Sequence, residues 1–203
     1  MVQELLTEKI PVLIFSGLTV DEQKSVKELK DFGLVEDVRE SFSSDVTHLI
    51  IQSFKKEVEN RRMCLRTMKF SQAILNKCLA LDKHDFQPSS NKYVMENYEI
   101  CVDTALQKIH NGPFNSRTSN SRGLFTGNSV VLCGFSERDD LKHFVEKAVC
   151  ICGFEDIRSL AAEELQSFAD YFKTYTCVTY LWFIESISMF QIQPVKQYQI
   201  ETI

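Results

Sequence analysis

Two short stretches carry residue types that could do chemistry: Ser16-Gly17-Leu18-Thr19 and, farther along, Arg66-Thr67-Met68-Lys69. The first follows the apolar run Pro11 to Phe15 and precedes a helix-like segment. The second lies on a helix-like segment of its own. A hydroxyl, an unshielded backbone N–H and an ammonium, once brought together, can hold a phosphate dianion. Ser16 Oγ would donate one hydrogen bond. Gly17 N–H would donate another, because glycine leaves the approach open. Lys69 would supply a full charge, and the start of the following helix favours an anion through its dipole. Each residue also has a plainer reading. Ser16-Gly17 is equally a strand-to-helix turn, Thr67 in mid-helix could bond back to its own turn, and Arg66 and Lys69 could form a solvated helix face.

Composition narrows the classes. The 203 residues are 44% hydrophobic and 25% charged, enough apolar material for a real core in one large domain or two small ones. The net charge of -5 argues against a nucleic-acid backbone binder but leaves room for a local basic patch. The seven cysteines are scattered through apolar surroundings, which reads as buried thiols in a reducing compartment. Neither they nor the four histidines show zinc-ligand spacing. No glycine-rich phosphate loop and no Ser–His–Asp or Cys–His pattern stands out, so catalysis is not expected, nor any cofactor. No apolar run approaches the ~20 residues that cross a bilayer, and the charged N-terminus is no secretory signal. A soluble, intracellular chain with no membrane contact is expected, as part of something larger.

These residues must be positioned by alternating elements. Val12-Leu13-Ile14-Phe15 reads as a strand broken by Ser16-Gly17. Thr19 with Glu22 reads as a capping box opening a helix that Gly33 ends. A second strand is expected near Leu34–Val38, a third over Val46–Ile51 and a fourth at Leu79-Ala80-Leu81. Between the last two, a helix is expected from about Val58 to Leu75, with Cys64, Met68 and Ile74 facing inward. Another helix should follow Pro88 and carry Tyr93 and Val94. This alternation implies a mostly parallel sheet covered on both faces. Residues 111 to 123 turn polar, with Asn111-Gly112-Pro113, and form the best linker candidate. The opening pattern then repeats: strand Val130–Cys133, a break at Gly134, a helix over Asp140–Val149, and Gly153. An internal repeat of roughly 90–100 residues fits a pair of small domains.

The order strand–Ser-Gly–helix, then Val46-Thr47-His48-Leu49-Ile50, then Trp182-Phe183-Ile184-Glu185-Ser186, resembles a tandem BRCT repeat over nearly the whole chain. The resemblance implies an α/β fold of two BRCT modules, each a four-stranded parallel sheet flanked by helices, packed through a helical interface. It divides the chain into repeat 1 at 8–103, a linker at 104–123 and repeat 2 at 124–203. It implies a reader of phosphorylated protein, with pSer-x-x-Phe-like motifs, acting in DNA-damage and repair signalling in the nucleus. Phosphate would fall to Ser16, Gly17 and Lys69 with Thr67 behind them. The peptide groove would fall to Arg66, Ser71, Arg138 and Ile184. The members most similar carry a RING ubiquitin-ligase segment elsewhere and pair through it with a RING heterodimer partner; these 203 residues contain no such segment.

The resemblance has departures. Asp85-Phe86 stands where repeat 1 of the family has a tryptophan, so Phe86 should take that place in the core, while Trp182 should anchor repeat 2. Repeat 2 has no clear Thr-His strand, and Ile157 to Thr174 is hard to place. Ser71, Arg138 and Ile184 are a less apolar set than an aromatic pocket would use. In repeat 1, Thr47-His48 should support the sheet and its loop. A rival reading is a chromatin scaffold, in which Arg117 and Arg122 in the linker meet a nucleosome or histone surface; the plainer reading of that stretch is a flexible solvated linker.

Overall fold

A computed structural model describes residues 10–58, 61–88, 99–100, 102–103, 110–120, 123–133, 156–160 and 176–200. The expected helices after Pro88 and over Asp140–Val149, the break at Gly134, Gly153, Arg122 and Arg138 lie outside them.

The first half is built on four parallel strands: β1 (Val12–Ser16), β2 (Asp37–Arg39), β3 (His48–Ile51) and β6 (Leu79–Asp82), in the order β2-β1-β3-β6. Apolar runs of four or five residues suit strands covered on both faces. Leu13 and Phe15 point to one face, where they pack with Leu18, Val26 and Val35, and Phe86 leans on that cluster. Val12 and Ile14 point to the other, toward Phe70, Ala73 and Ile74. Phe86 thus lies against the core as expected, edge-on to the His48 ring at 5.8 Å. Thr47 ties β3 to β1 by accepting from Val12 N at 2.9 Å and donating to Val12 O at 3.1 Å. Its hydroxyl also lies 2.7 Å from His48 Nδ1, so the Thr-His pair is structural.

Helix α1 (Val20–Asp31) opens with the capping box read from Thr19 and Glu22. Glu22 Oε2 accepts from Thr19 N at 2.8 Å, and Oε1 meets Lys83. The Lys83 bond, followed by the Thr19 bonds, lowers the Glu22 carboxyl to about 2. A carboxyl held below its unfolded value stabilises the fold above the unfolded pKa and loses that contribution as pH falls through the folded one. Acid unfolding between pH 4.5 and about 2 should therefore include a Glu22 contribution that is missing in Glu22→Gln. Denaturant midpoints for both proteins across that range check this. Parallel pH curves would contradict it.

The helix expected from Val58 to Leu75 is corrected. Ser53–Val58 (β4) and Arg61–Cys64 (β5) form an antiparallel hairpin, and β5 pairs with β7 (Val102–Asp103). Helix α2 spans only Met68–Leu75. Cys64 is buried, but on a strand; Ile74 is buried as expected; Met68 is 45% exposed.

The stretch that reads as a linker also differs from a flexible one. Gly112–Thr118 forms helix α3, with Gly112, Pro113 and Ser116 buried. It packs against α2 and against α4 (Tyr180–Met189). Ser116 donates to Ile74 O. Gly112 N donates to His110 Nδ1 at 3.1 Å, and His110 Nε2 faces Asp103 Oδ2 at 3.4 Å in a fully buried pair. The nearly buried Arg117 meets both oxygens of Glu99, at 3.0 and 2.7 Å. This arrangement removes Arg117 as a free basic surface for histones.

In the second half, the described strands are β8 (Ser129–Cys133) and β9 (Asp156–Leu160), paired parallel. Phe125 is fully buried, stacked on Phe183 at 5.5 Å and tilted toward Trp182 at 5.2 Å. Trp182 anchors as expected, half-buried, with Nε1 donating to Gln193 O at 2.8 Å. One apolar cluster runs from β1 and β3 through α2 to Phe125, Phe183 and Ile187. The halves therefore share a core, which fixes α2 against α4.

Candidate functional site: an anion cradle at the carboxyl end of the sheet

Ligands of open α/β sheets sit beyond the carboxyl ends of the strands. Ser16 is the last residue of β1 and is buried to 9% exposure, while Gly17 beside it is exposed. Gly17 has φ +72, a left-handed conformation that side chains rarely adopt. The turn therefore needs glycine for its backbone as well as for access. Its N–H makes no hydrogen bond among the described residues.

The second stretch arrives from α2. Thr67 is the N-cap of that helix, not a mid-helix residue. Its Oγ1 accepts from Phe70 N at 3.1 Å and lies 3.1 Å from Ser16 Oγ. A Thr67 hydroxyl that accepts from Phe70 keeps its own proton to give to Ser16, which leaves the Ser16 proton for a ligand. Lys69 Nζ donates to Phe15 O at 3.1 Å and stands 5.4 Å from the Phe15 ring. Partial burial lowers its pKa, opposed by the charge of Glu40. One of its three N–H donors is used, so two remain. The structure thus brings Ser16, Gly17, Thr67 and Lys69 to one spot, where two neutral donors and one cation can converge on an anion.

Thr67→Val keeps the shape and removes the hydroxyl. Losing the cap should lower stability by about 1 kcal/mol. It should also free Ser16 to rotate and weaken anion binding several-fold. Chemical denaturation and a binding titration on the same sample check both halves.

The groove residues divide. Arg66 is half-buried, and its Nη1 is buried without a hydrogen-bond partner among the described residues. The Tyr198 hydroxyl donates to Glu185 Oε2 of α4 at 2.5 Å. Burial, then the Glu185 bond, pushes the Tyr198 phenol up to about 12, and Arg66 opposes the shift. Sequence reasoning does not single out Glu185 and Tyr198 as site residues; Glu185 is visible only as part of the Trp182–Ser186 run. Ile184 is half-buried on α4 against the shared core. Ser71, which the resemblance assigns to the peptide groove, is 2% exposed and faces inward from α2.

This architecture is that of known structures. The chain is similar to a crystal structure of Rtt107p residues 820–1070, with TM-score 0.58, 12% identity and 96% of each chain covered. It is similar to the BRCT5-BRCT6 domains of S. pombe Brc1, with TM-score 0.53, 17% identity, and 91% and 94% covered. A third similar structure is the complex of Rtt107p with a phosphorylated histone, with TM-score 0.57, 11% identity, and 96% and 95% covered. The fold is a tandem BRCT repeat. No family model and no curated protein sequence matches the chain. In that fold, Ser16 and Gly17 stand at the end of β1, and Thr67 and Lys69 at the start of α2, with Arg66 just before it. Among the described residues, no group of three His, Cys, Asp or Glu side chains could hold a metal, and no helix is long and apolar enough to cross a membrane.

Proposed function

We propose that this chain is a phosphoserine-peptide reader. The observation that carries the reading is the meeting of Ser16, Thr67 and Lys69 around the exposed Gly17 turn. A phosphoserine brings close to two negative charges and three acceptor oxygens. Ser16 Oγ, Gly17 N–H and Lys69 Nζ are three donors for them. The half-buried Arg66, just before α2, would hold the peptide backbone as it leaves the phosphate. Its route lies past Ile184, toward an aromatic residue at the third position after the phosphate. Nothing in this mechanism makes or breaks a bond, so the reading is of a binding module and not an enzyme.

The Rtt107p complex with a phosphorylated histone supports a phosphoprotein ligand, a histone tail included. The setting we propose is nuclear DNA-damage and repair signalling. On the likeness of Phe15-Ser16-Gly17-Leu18-Thr19, Cys64-Leu65-Arg66-Thr67-Met68-Lys69 and Gly123-Leu124-Phe125-Thr126-Gly127, we also propose kinship with the C-terminal region of the breast cancer type 1 susceptibility protein. Its RING-domain partner is the runner-up. A RING ubiquitin-ligase segment and a RING heterodimer partner would then belong to other parts of a longer protein.

Amide NMR during titration with a pSer-x-x-Phe peptide tests the site. The Gly17 N–H should shift strongly, as an amide that gains a charged acceptor does, and the unphosphorylated twin should leave it in place. An unmoved Gly17 with binding elsewhere, or binding to nucleosomes that survives phosphatase treatment, would overturn the reading in favour of a chromatin scaffold.

A further inference from the structure

Phe15 has a second cation beside it. Lys27, on α1, places Nζ 5.9 Å from the centroid of the ring that Lys69 flanks at 5.4 Å. Lys27 is paired with Glu40 Oε1 at 3.0 Å. Glu40 follows β2, so it lies at the same end of the sheet as Ser16 and Gly17. Its charge also opposes the lowering of the Lys69 pKa that partial burial causes. The pair is open to solvent, with the side chains of Lys27 and Glu40 50% and 80% exposed. Holding it together contributes little, and parting it costs little.

We propose that Lys27 and Glu40 form an exchangeable anion subsite beside the phosphate cradle, where Lys27 leaves Glu40 to take an acidic side chain just before the phosphoserine. This inference rests on the phosphopeptide reading and names its specificity. In that reading the ligand runs from the phosphate toward Arg66 and α4. Residues before the phosphate therefore leave on the opposite side, over α1 and β2. A phosphate dianion seated at Lys69 repels Glu40, which is exposed enough to swing into water. Lys27 then faces the ligand without its counter-charge. A carboxylate in the peptide restores the pairing, whereas a neutral residue leaves Lys27 solvated. Glu40 acts as a weak internal competitor that an acidic ligand displaces.

Anisotropy titrations at about 0.1 M salt test this, where surface charges still interact over about 10 Å. The ligands are pSer-x-x-Phe peptides with Asp or with Ala at the two positions before phosphoserine. Wild type should prefer the Asp peptide by about threefold to fivefold, the upper end of what an exposed ion pair gives. Lys27→Met should abolish that preference while the Ala peptide binds as before. Glu40→Gln should tighten both peptides. Phosphate-dependent binding with no preference, or a preference that survives Lys27→Met, would overturn the subsite and leave the reader intact. No phosphate dependence in either peptide would overturn the reader, and the subsite with it.

Discussion

Replacing Lys69 by methionine removes phosphate-dependent binding and leaves the fold standing. The methionine keeps an unbranched apolar stem and loses only the ammonium. Hydrogen bonds to charged groups are worth about 1.5–3 kcal/mol, so affinity for a phosphopeptide should fall about tenfold to a hundredfold. Stability should not fall with it. The ammonium is partly buried, and that burial disfavours its charged form. Its one hydrogen bond among the described residues is to a backbone carbonyl. A thermal midpoint within a degree or two of wild type, beside lost phosphopeptide binding, is the expected pair of results. Loss of both together would make Lys69 a structural residue and leave the cradle without its cation.

The other large effect is expected far from the cradle. A Cβ added at Gly112 would lie 1.8 Å from Ser188 O and 2.7 Å from Ser188 C, both backbone atoms of α4. No side-chain rotation relieves a clash with backbone, so α3 and α4 must separate. Overpacking a well-filled interior costs about 1–3 kcal/mol, and Gly112→Ala should reach the top of that range. The damage should spread to binding, because α4 carries Glu185, which bonds the Tyr198 on which the Arg66 charge acts. Urea denaturation should show the lost stability, and a phosphopeptide titration should show affinity reduced even under conditions where the protein is fully folded. An unchanged midpoint would mean that α3 does not approach α4 as closely as described.

What can be read from the sequence follows from how local its causes are. The β1 run, the Thr19–Glu22 capping box and the Leu79–Leu81 strand are set by residues within one or two turns of each other, and all stand in the structure. The hairpin of β4 and β5 is not legible, because its charged residues suit a helix as well as an edge strand. Its pairing partner, Val102–Asp103, lies far along the chain. Polar residues and glycine hide the helix α3 within the stretch that reads as a linker. Yet Pro113 suits the first turn of a helix, and Gly112 is the small residue that lets α3 touch Ser188. At the site, the resemblance names Ser16, Gly17, Thr67 and Lys69. It cannot show that Thr67 caps α2 while bonded to Ser16, because that bond spans two elements. Lys27 and Glu40 give no local signal at all. They matter only through the Phe15 ring that the fold places beside Lys69.

The most direct measurement is one titration of wild-type protein with a fluorescent pSer-x-x-Phe peptide and its unphosphorylated twin, read by anisotropy. The cradle of Ser16, Gly17 and Lys69 predicts saturable binding of the phosphorylated peptide, about tenfold or more tighter than the twin, as befits charge-assisted bonds. Equal binding of the two peptides would contradict it.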